Sequence, residues 1–581
     1  MAHYDLIIRG GRVIDGTGLP GFVGDVAIND GRVARIDGLK RATAERELDA
    51  SGLVVAPGVI DLHTHYDAQL FFDPYCTISG WHGVTSVVIG NCGFGFAPVR
   101  PEDRERAMLR MTRNEAIEYD VMASSMPWDW VTFGEYLASL ERQPLGINVT
   151  SLCPIAPLML YILGEDRRYE EPTAAEVVEM QRLLHVAMDA GACGFSIQKL
   201  GFDSVQPDYD GGPMPTDVMS DDLILAFADV LNERGEGWIQ ITYAPFEVDK
   251  VNLAESVVGE TTMKFIEELA ARAGRPVLHN VIIPLAEAPE IYQRGMEWLA
   301  DCQGRGLRIY GQGDHVRNWF QLTYEHFNLW DSAPAWKECF LGSDEEKLAH
   351  LADADLRQRM IAEEPLLLSA AMGASLPKFT LTKTGGNAAL DRYVGQSMRE
   401  IAEAEGRHHI DVMLDIARDS NLKAEFKSTF VKAPKAEYTA DMLSSPYIVP
   451  GISDGGAHTK FFIGGAYPTD LIRWLVREEG LLTLEQVHQK LSYLPAQVAG
   501  LTDRGAIRVG APADIIVYDL EELRPDPDFD YDQAFDLPSG DWRRIQRAVG
   551  YRWTIVNGVV TFEDGKCTGA TPGQLIRQGL G

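Results

Sequence analysis

A pair of histidines separated by one residue closes an apolar stretch near position 60 of this sequence. His63 and His65 end the segment 57–65, whose apolar residues predict a buried strand. Residues i and i+2 of an extended strand point to the same face, so both imidazoles would lie on one side. Two neighbouring imidazoles are half of a typical divalent-metal site, and a buried strand end is a costly place for polar groups without such a partner. The pair therefore predicts a metal centre.

Three further residues of ligand type also lie at or just after short apolar runs. They are Cys92, His279 and Asp454. A thiolate is a good ligand for zinc, and an aspartate beside a metal ion can both bind it and transfer protons. If these runs are neighbouring strands of one sheet, their ends bring these side chains together. The chemistry that this combination indicates is hydrolysis by metal-activated water.

Eight such apolar runs alternate with helical patterns through the middle of the chain. This alternation is typical of β/α units around a parallel sheet, and eight units predict an α/β fold of the (β/α)8 TIM-barrel type. Barrel enzymes carry their active sites at the C-terminal ends of the strands, which is where the candidate ligands fall. The runs cover residues 54–61, 85–90, 147–152, 194–198, 238–242, 276–281, 307–311 and 447–453.

Both ends of the chain have a different pattern, with alternating apolar and polar residues between glycine-containing turns. The pair Asn557-Gly558 is typical of a hairpin turn between two such strands. Because chain ends often lie close together, we expect residues 1–56 and 503–581 to form one composite β-sandwich domain. Residues 57–502 would then form the barrel.

A long insertion, residues 315–445, separates the seventh and eighth runs and contains helical patterns of its own. Such an insertion is typical of a lid or pocket wall, and the alternative is a packing subdomain remote from the substrate. Its aromatic side chains either line a pocket for a bulky apolar or aryl group or form the insertion's own core. They include Trp319, Phe320, Phe327, Trp330 and Trp336.

Composition narrows the choice of partners and location. The net charge of -32 over 581 residues repels nucleic-acid phosphates and anionic lipids, so we expect a small-molecule partner and neither nucleic acid nor membrane. Seven scattered cysteines do not resemble a disulfide framework, and an apolar run of spanning length is missing. We therefore expect a cytoplasmic protein, with self-association into a homo-oligomer left open.

Six motifs spread along the chain carry a family resemblance. They are residues 57–65, Gly83-Val84-Thr85, Gly90-Asn91-Cys92-Gly93, Ser453-Asp454-Gly455, Leu501-Thr502-Asp503-Arg504-Gly505 and Gly510-Ala511-Pro512-Ala513-Asp514. Together they resemble the N-acyl-D-amino-acid deacylase (D-aminoacylase) branch of the amidohydrolase superfamily over nearly the whole length. The resemblance implies a barrel flanked by a sandwich from both chain ends. It also implies zinc-dependent hydrolysis of a linear, non-peptide C–N bond, most like the deacylation of N-acyl-D-amino acids.

The resemblance also implies residue roles. His63, His65 and Asp454 would bind one metal ion, Cys92 would bridge two, and His279 would bind the second, giving one or two zinc ions as cofactor. Asp454 would take a proton from the metal-activated water and later protonate the leaving amine. The metal would stabilise the tetrahedral oxyanion.

The chain departs from this pattern on its fifth run, residues 238–243, where the family normally has another histidine ligand. Only Thr242 or Tyr243 is available there, so the tight metal site, which this histidine normally serves in the family, is rebuilt, mononuclear or weaker. One rebuilding hypothesis is a carboxylated Lys199 that bridges two metals; the alternative is an ordinary substrate-facing or surface lysine. Tyr243 and His458 are candidates for substrate binding.

Two other departures concern the substrate. Val281 stands where D-aminoacylases tend to carry a lysine for the substrate carboxylate, and Ser151-Leu152-Cys153-Pro154 replaces a frequent Gly-His pair. One alternative function is therefore hydrolysis of a non-peptide or cyclic amide, and another is an inactive barrel that serves as a binding protein. Asp454 beside an intact histidine pair favours a hydrolase.

Overall fold

The barrel strands lie as predicted in a computed structural model that describes residues 2–202, 204, 206–244, 256–326, 333–367, 374–430 and 434–579. Eight parallel strands, with the additional two-residue strand Cys153–Pro154, form one sheet of three strands and one of six. The predicted mixed α/β class is confirmed. The barrel strands are Val59–Asp61, Val84–Ile89, Asn148–Ser151, Gly194–Lys199, Trp238–Tyr243, Val277–Ile282, Ile309–Asp314 and Ile448–Gly451.

The two parallel sheets meet at both edges. Between the first and eighth strands, the His65 N–H donates to the Gly455 carbonyl at 2.7 Å. Between the third and fourth strands, the Cys193 N–H donates to the Ser151 carbonyl at 2.9 Å. These bonds place the eight strands in the order of the predicted barrel.

The first predicted run is divided between two sheets. Its first half, Val54–Pro57, belongs to the sheet formed by the chain ends, and its second half, Val59–Asp61, is the first barrel strand. Gly58 separates them, and a Cβ at this position would lie 2.1 Å from the Thr85 hydroxyl oxygen. Only glycine lets the backbone cross so close to the second strand.

Helices between the strands start at caps that the sequence encodes. In one capping box, the Thr173 N–H donates to the Glu176 carboxylate at 2.8 Å and the Glu176 N–H donates to the Thr173 hydroxyl at 3.4 Å. The outer helices are Arg104–Asn114, Tyr119–Ser125, Phe133–Glu141, Ile155–Leu163, Ala174–Asp189, Asp221–Arg234, Glu260–Ala273, Pro289–Gly304, Ala436–Ser444, Tyr467–Leu471, Leu484–His488 and Leu494–Val498, with π-helical turns Ile472–Glu478 and Gln489–Tyr493.

Strand alternation divides the barrel into an interior and an outer layer. Leu62, Val88, Trp238 and Leu278 belong to one apolar cluster inside the barrel. Phe195 of the fourth strand instead contacts Phe227 of an outer helix, with ring centroids 6.1 Å apart. In the fourth to sixth strands, the odd-numbered side chains therefore face the helices and the even-numbered ones face the interior.

The two chain ends join in one nine-stranded mixed sheet, which forms the expected small domain as a single hydrogen-bonded sheet. The ends meet where Val54–Pro57 pairs antiparallel with Ile515–Tyr518, and the predicted hairpin turn Asn557-Gly558 is confirmed. The remaining strands are His3–Val13, Phe22–Asn29, Arg32–Ile36, Thr43–Asp49, Tyr551–Val556, Val559–Glu563 and Lys566–Cys567.

Two-stranded ribbons and a returning tail complete the C-terminal part. Arg524–Asp526 pairs with Arg547–Val549, and Asp532–Ala534 pairs with Arg543–Ile545. The tail then reaches the third barrel strand, where the Val149 N–H donates to the Gln574 carbonyl at 2.9 Å and the Ile576 N–H donates to the Val149 carbonyl at 2.7 Å. No helix in the described ranges has the length and apolar character to cross a membrane.

The insertion has its own core. Phe320 and Trp336 belong to that core, and Trp319 stacks on Tyr531 with ring centroids 4.4 Å apart. Packing in this core therefore accounts for Phe320 and Trp336, whereas Trp319 lines a small cavity beside Tyr531. Phe327 and Trp330 lie outside the described residues. The elements are the helices Pro334–Phe340, Asp344–Ala352, Ala354–Ala362, Met398–Glu405 and His409–Asp419, and an antiparallel sheet of Gln321–Leu322, Glu425–Lys427 and Thr380–Lys383.

Candidate metal centre

The histidine pair is fixed by backbone bonds just beyond the first barrel strand. The Thr64 hydroxyl donates to the Val88 carbonyl at 2.7 Å, and the His65 N–H is bonded to the eighth-strand segment. Both imidazoles are buried, with ring centroids 5.5 Å apart. The chain between the first and second strands therefore leaves little freedom to either ring.

Four of the predicted site residues converge at this point. The His63 Nε2 lies 3.2 Å from the Cys92 Sγ and 3.3 Å from the Asp454 Oδ1, and the His65 Nε2 lies 3.7 Å from the same oxygen. Ligand atoms of His63, His65 and Cys92 all lie within 4.8 Å of one another. The structure thus brings together two imidazoles, one thiol and one carboxylate.

These spacings fit a single tetrahedral ion. With Zn–N bonds of about 2.0–2.1 Å and Zn–S bonds of about 2.3 Å, neighbouring ligand atoms in a tetrahedron lie about 3.3–3.6 Å apart. The three separations His63–Cys92, His63–Asp454 and His65–Asp454, from 3.2 to 3.7 Å, bracket this value. Nitrogen, sulfur and carboxylate oxygen are also the donor types that zinc prefers.

Left-handed backbone turns direct two of these side chains. Cys92 has φ 56° and Asp454 has φ 46°, which are uncommon values for residues with a Cβ. The turn at Asp454 is held by Ser453, whose hydroxyl donates to the His63 carbonyl and accepts from the Gly455 N–H, each at 3.0 Å. The fold therefore maintains local strain where the carboxylate enters the site.

Burial sets the protonation of these side chains. It lowers the pKa of His63 and of His65, which keeps both imidazoles neutral and able to act as ligands. It raises the pKa of the Cys92 thiol, and the carboxylates of Glu115 and Asp454 raise it further. A thiolate at this position consequently requires a cation beside it.

Glu115 is a buried acid of this site for which the sequence offered no motif. Its Oε1 lies 3.8 Å from the His65 Nε2, and its Oε2 lies 3.2 Å from the His458 Nε2. The residue follows the helix Arg104–Asn114, and its carbonyl accepts the His458 N–H at 2.8 Å. The only signal in the sequence is an isolated acid within the stretch Asn114-Glu115-Ala116-Ile117.

Glu115 and His458 form a buried acid–imidazole pair. Burial raises the pKa of Glu115, although the hydrogen bond from His458 lowers it. Burial also opposes a charge on His458, but the hydrogen bond and the negative charge of Glu115 outweigh this and raise the pKa of the imidazole. His458, a predicted substrate-binding residue, therefore lies beside the ligand cluster.

The structure does not bring His279 to this cluster, which corrects its prediction as a ligand. Its Nε2 lies 2.8 Å from the Val257 carbonyl, and its ring meets Trp298 of an outer helix edge to face. The reason is strand alternation: the neighbouring residue, Asn280, takes the inward position and its Nδ2 lies 3.0 Å from the His63 Nδ1.

Lys199 and Tyr243 also face outward, which favours the surface alternative for Lys199 over a carboxylated metal bridge and does not support substrate binding by Tyr243. The Lys199 Nζ lies 2.6 Å from a carboxylate oxygen of Asp221, and the Tyr243 hydroxyl lies 3.1 Å from the other oxygen. Tyr243 stacks on Phe265 of an outer helix. Both residues have odd numbers on their strands, so alternation directs them to the helical layer, away from metal and substrate.

Neutral polar side chains line the interior of the fourth to seventh strands. We call this set the polar belt, and it comprises Gln198, Gln240, Thr242, Asn280 and Gln312. The His63 Nδ1 lies 3.0 Å from the Gln312 Oε1, and the Cys92 N–H donates to the Gln240 Oε1 at 2.7 Å. The belt thus contacts the ligand cluster through the fifth, sixth and seventh strands.

A (β/α)8 barrel with imidazole, thiol and carboxylate groups at its strand ends has the fold and site of a metal-dependent hydrolase. The comparison with protein families agrees with this class. The model described as "Amidohydrolase family" matches residues 46–562, and the chain belongs to that family.

Three relatives extend the comparison. The N-acyl-D-glutamate deacylase of Alcaligenes xylosoxydans xylosoxydans is 28% identical over 99% of this chain and 96% of its own. A D-aminoacylase crystal structure matches with a TM-score of 0.66 and 22% identity, covering 99% of this chain and 100% of its own.

The third relative is an N-acyl-D-glutamate deacylase of Bordetella bronchiseptica, whose crystal structure is a complex with zinc and a phosphonate mimic of the tetrahedral intermediate. It matches with a TM-score of 0.64 and 23% identity. The match covers 99% of this chain and 100% of that one. Predicted membership of the amidohydrolases and the barrel fold are confirmed.

Proposed function

We propose that this chain deacylates N-acyl-D-amino acids and uses zinc held by His63, His65, Cys92 and Asp454. The observation that carries the proposal is the position of the Asp454 carboxylate, 3.3 and 3.7 Å from the two histidine Nε2 atoms. This arrangement suits a group that binds a metal and transfers protons. The full-length relative named for D-glutamate deacylation supports the substrate class.

Exposure distinguishes the role of Asp454 from those of the other ligands. Its side chain is 21% exposed, whereas those of His63 and His65 are 3% and 2% exposed. Asp454 therefore faces the substrate side of the cluster, where it accepts a proton from the attacking water and later donates it to the leaving nitrogen. When bound, zinc supplies Lewis-acid polarisation of the scissile carbonyl and lowers the pKa of water.

His458 serves in substrate binding under this proposal. Glu115 holds its Nε2, and its Nδ1 has no hydrogen-bond partner among the described residues. The side chain is 12% exposed, so the ring has limited contact with the mouth of the barrel. The Nδ1 atom itself is buried, so an imidazole fixed in this way would contact the substrate through the exposed part of its ring.

The test uses matched stereoisomers. Purified, zinc-loaded chain would be incubated with N-acetyl-D- and N-acetyl-L-amino acids, including glutamate, leucine and phenylalanine, and the released amine would be measured by mass spectrometry. We expect hydrolysis of D-substrates and its loss in Asp454→Asn. Failure to release amine from any of them, with zinc bound, would refute the deacylase proposal.

A second candidate is a hydrolase of cyclic or other non-peptide amides. The outward orientation of Lys199 and the presence of Val281 on the sixth strand favour it, because neither supplies a cation for a substrate carboxylate. A panel of hydantoins, dihydropyrimidines and aryl amides separates the two functions. Cleavage of these compounds without cleavage of N-acyl amino acids would favour the second.

We also infer that the protein works in a reducing compartment, such as the cytoplasm. All seven cysteines are free thiols, and six of them are buried. Buried thiols without disulfides are typical of proteins that fold in reducing surroundings. Thiol titration with and without denaturant, on protein purified without reductant, would test this inference.

A further inference from the structure

We propose that the metal centre of this chain holds one metal ion, because the polar belt occupies the side of the barrel where a second ion would need ligands. This inference rests on the proposed function, since it concerns the metal count of the same site. It selects the mononuclear state from the three states of the metal site that the sequence left open, which were rebuilt, mononuclear and weaker.

Strand register makes the belt continuous. Gln198 pairs with Thr242, Thr242 with Asn280, and Asn280 with Gln312, so these four residues stand side by side on consecutive strands. Gln240 lies two residues before Thr242 on the same strand and same face. The Asn280 amide lies 3.1 Å from the Thr242 hydroxyl, and the Gln240 Nε2 donates to this hydroxyl at 3.4 Å.

The chemistry of the belt does not suit zinc. Its side chains end in carboxamides and a hydroxyl, whereas zinc in proteins is bound mainly by thiolate, imidazole and carboxylate. On the fourth and sixth strands, the residues with a suitable side chain, Lys199 and His279, bond to groups of the outer layer. In the described ranges, the only buried group of metal-ligand type is His63, His65 and Cys92.

The belt instead positions the first ion's ligands. With the His63 Nε2 directed at the metal, its Nδ1 carries the proton and donates to the Gln312 Oε1, and the Asn280 amide, 3.0 Å from the same nitrogen, then presents its oxygen to it. Gln240 holds the backbone of Cys92 in the same way. The carboxamides therefore act as positioning groups for two ligands, and a second cation next to them would disrupt these bonds.

Metal stoichiometry is the direct test. The full chain would be loaded with excess zinc, passed through a desalting column and measured by elemental analysis against its amino-acid concentration. We expect one zinc per chain. Two per chain would overturn the inference and leave the proposed function intact, whereas zinc-free protein after loading would overturn both.

A gain-of-site variant strengthens the test. Thr242→His with Asn280→His places two imidazoles on adjacent strands, and the Thr242 side chain lies beside the Cys92 thiol. We expect this double variant to bind two ions and to give an exchange-coupled manganese EPR signal. Thr242→His alone is the matched control and should keep one ion. A coupled signal in the unmodified chain would contradict the proposal.

The positioning role has its own matched pair of variants. Gln312→Leu removes the acceptor for His63, whereas Gln312→Glu keeps an acceptor in the same place. Loss of such a bond typically weakens metal binding about 10–100-fold, and we expect this loss for leucine and its rescue by glutamate. Chelator competition measures both zinc affinities. Equal affinities in the leucine, glutamate and unmodified chains would show that Gln312 does not position His63.

Discussion

The two sides of the barrel mouth differ in chemistry although they are built from the same repeating unit. The first, second and eighth strands end in His63, His65, Cys92 and Asp454, whereas the fourth to seventh strands present the polar belt. One side can bind a cation directly, and the other can only orient the groups that do so. A symmetric scaffold therefore holds an asymmetric site, and the asymmetry depends on which residue of each strand faces inward.

The largest expected effect comes from the ligand side. Asp454→Asn should lower kcat by about 10³-fold or more, because general acid–base catalysis contributes about 10²–10⁴-fold and the substitution also weakens a metal ligand. The fold and most of the bound metal should remain. Steady-state kinetics and elemental analysis check this, with the exposed Asp564→Asn as control. Turnover equal to that of the unmodified chain would remove Asp454 from the mechanism.

A variant of Glu115 tests whether residues on the ligand side other than the four metal ligands contribute to catalysis. Glu115→Gln removes the charge that fixes His458, so we expect kcat/KM to fall about 10–100-fold with metal content unchanged. Glu118→Gln, on the same loop but partly exposed, is the control. Wild-type kinetics in Glu115→Gln would show that the buried pair has only a packing role.

Variants of His279 and His63 compare an outward-facing histidine with an inward-facing one. His279→Leu should leave zinc content unchanged and lower stability by about 1–3 kcal/mol, because the buried Val257 carbonyl loses its donor. His63→Leu, in contrast, should lower the zinc content, because it removes a metal ligand. Elemental analysis and thermal unfolding of both variants give the comparison, and loss of zinc in His279→Leu would return this residue to the ligand set.

The smallest expected effect is on the pH dependence of stability, and it comes from a buried lysine that bonds to the eighth strand. Lys490 is buried, donates to the Ile448 carbonyl at 3.1 Å and also contacts the Ser445 carbonyl. Burial lowers its pKa from 10.5 to about 7. The unfolded chain then binds more protons between pH 7 and 10.5, so stability rises with pH in that window and levels off with respect to this group below about pH 7.

Lys490→Met should remove this dependence. Between pH 7 and 9, the free energy of unfolding should rise by about 2 kcal/mol less in the variant than in the unmodified chain. Denaturant unfolding at several pH values measures the difference. Identical pH profiles would mean that Lys490 stays protonated in the folded state.

The sequence was sufficient to predict the ligand side and most of the fold. His63 and His65 end a recognisable strand, and Cys92 and Asp454 follow strands with glycine-rich turns, so their place at one end of a barrel follows from local pattern. All eight barrel strands lie at the predicted positions, with ends that differ by a few residues. Hydrophobic runs and turn residues determine these features locally, which is why one sequence reveals them.

The inner and outer faces of the middle strands could not be predicted in the same way. In a strand buried on both sides, apolar residues occupy both faces, so hydropathy does not reveal which of His279 and Asn280 points inward. The same uncertainty affected Lys199 and Tyr243. Glu115 was missed for another reason, because a loop of the tertiary structure carries it to His65 and His458 and the local sequence contains no motif.

The C-terminal tail has a consequence for how the molecule is assembled during translation. Residues 574–576 pair with Val149, next to the place where Ser151 bonds to Cys193 of the following β/α unit. The third strand therefore makes part of its contacts with a segment synthesised more than 400 residues later. A nascent chain that lacks this segment cannot form these two hydrogen bonds, so the third strand gains them only after the eighth strand has been synthesised.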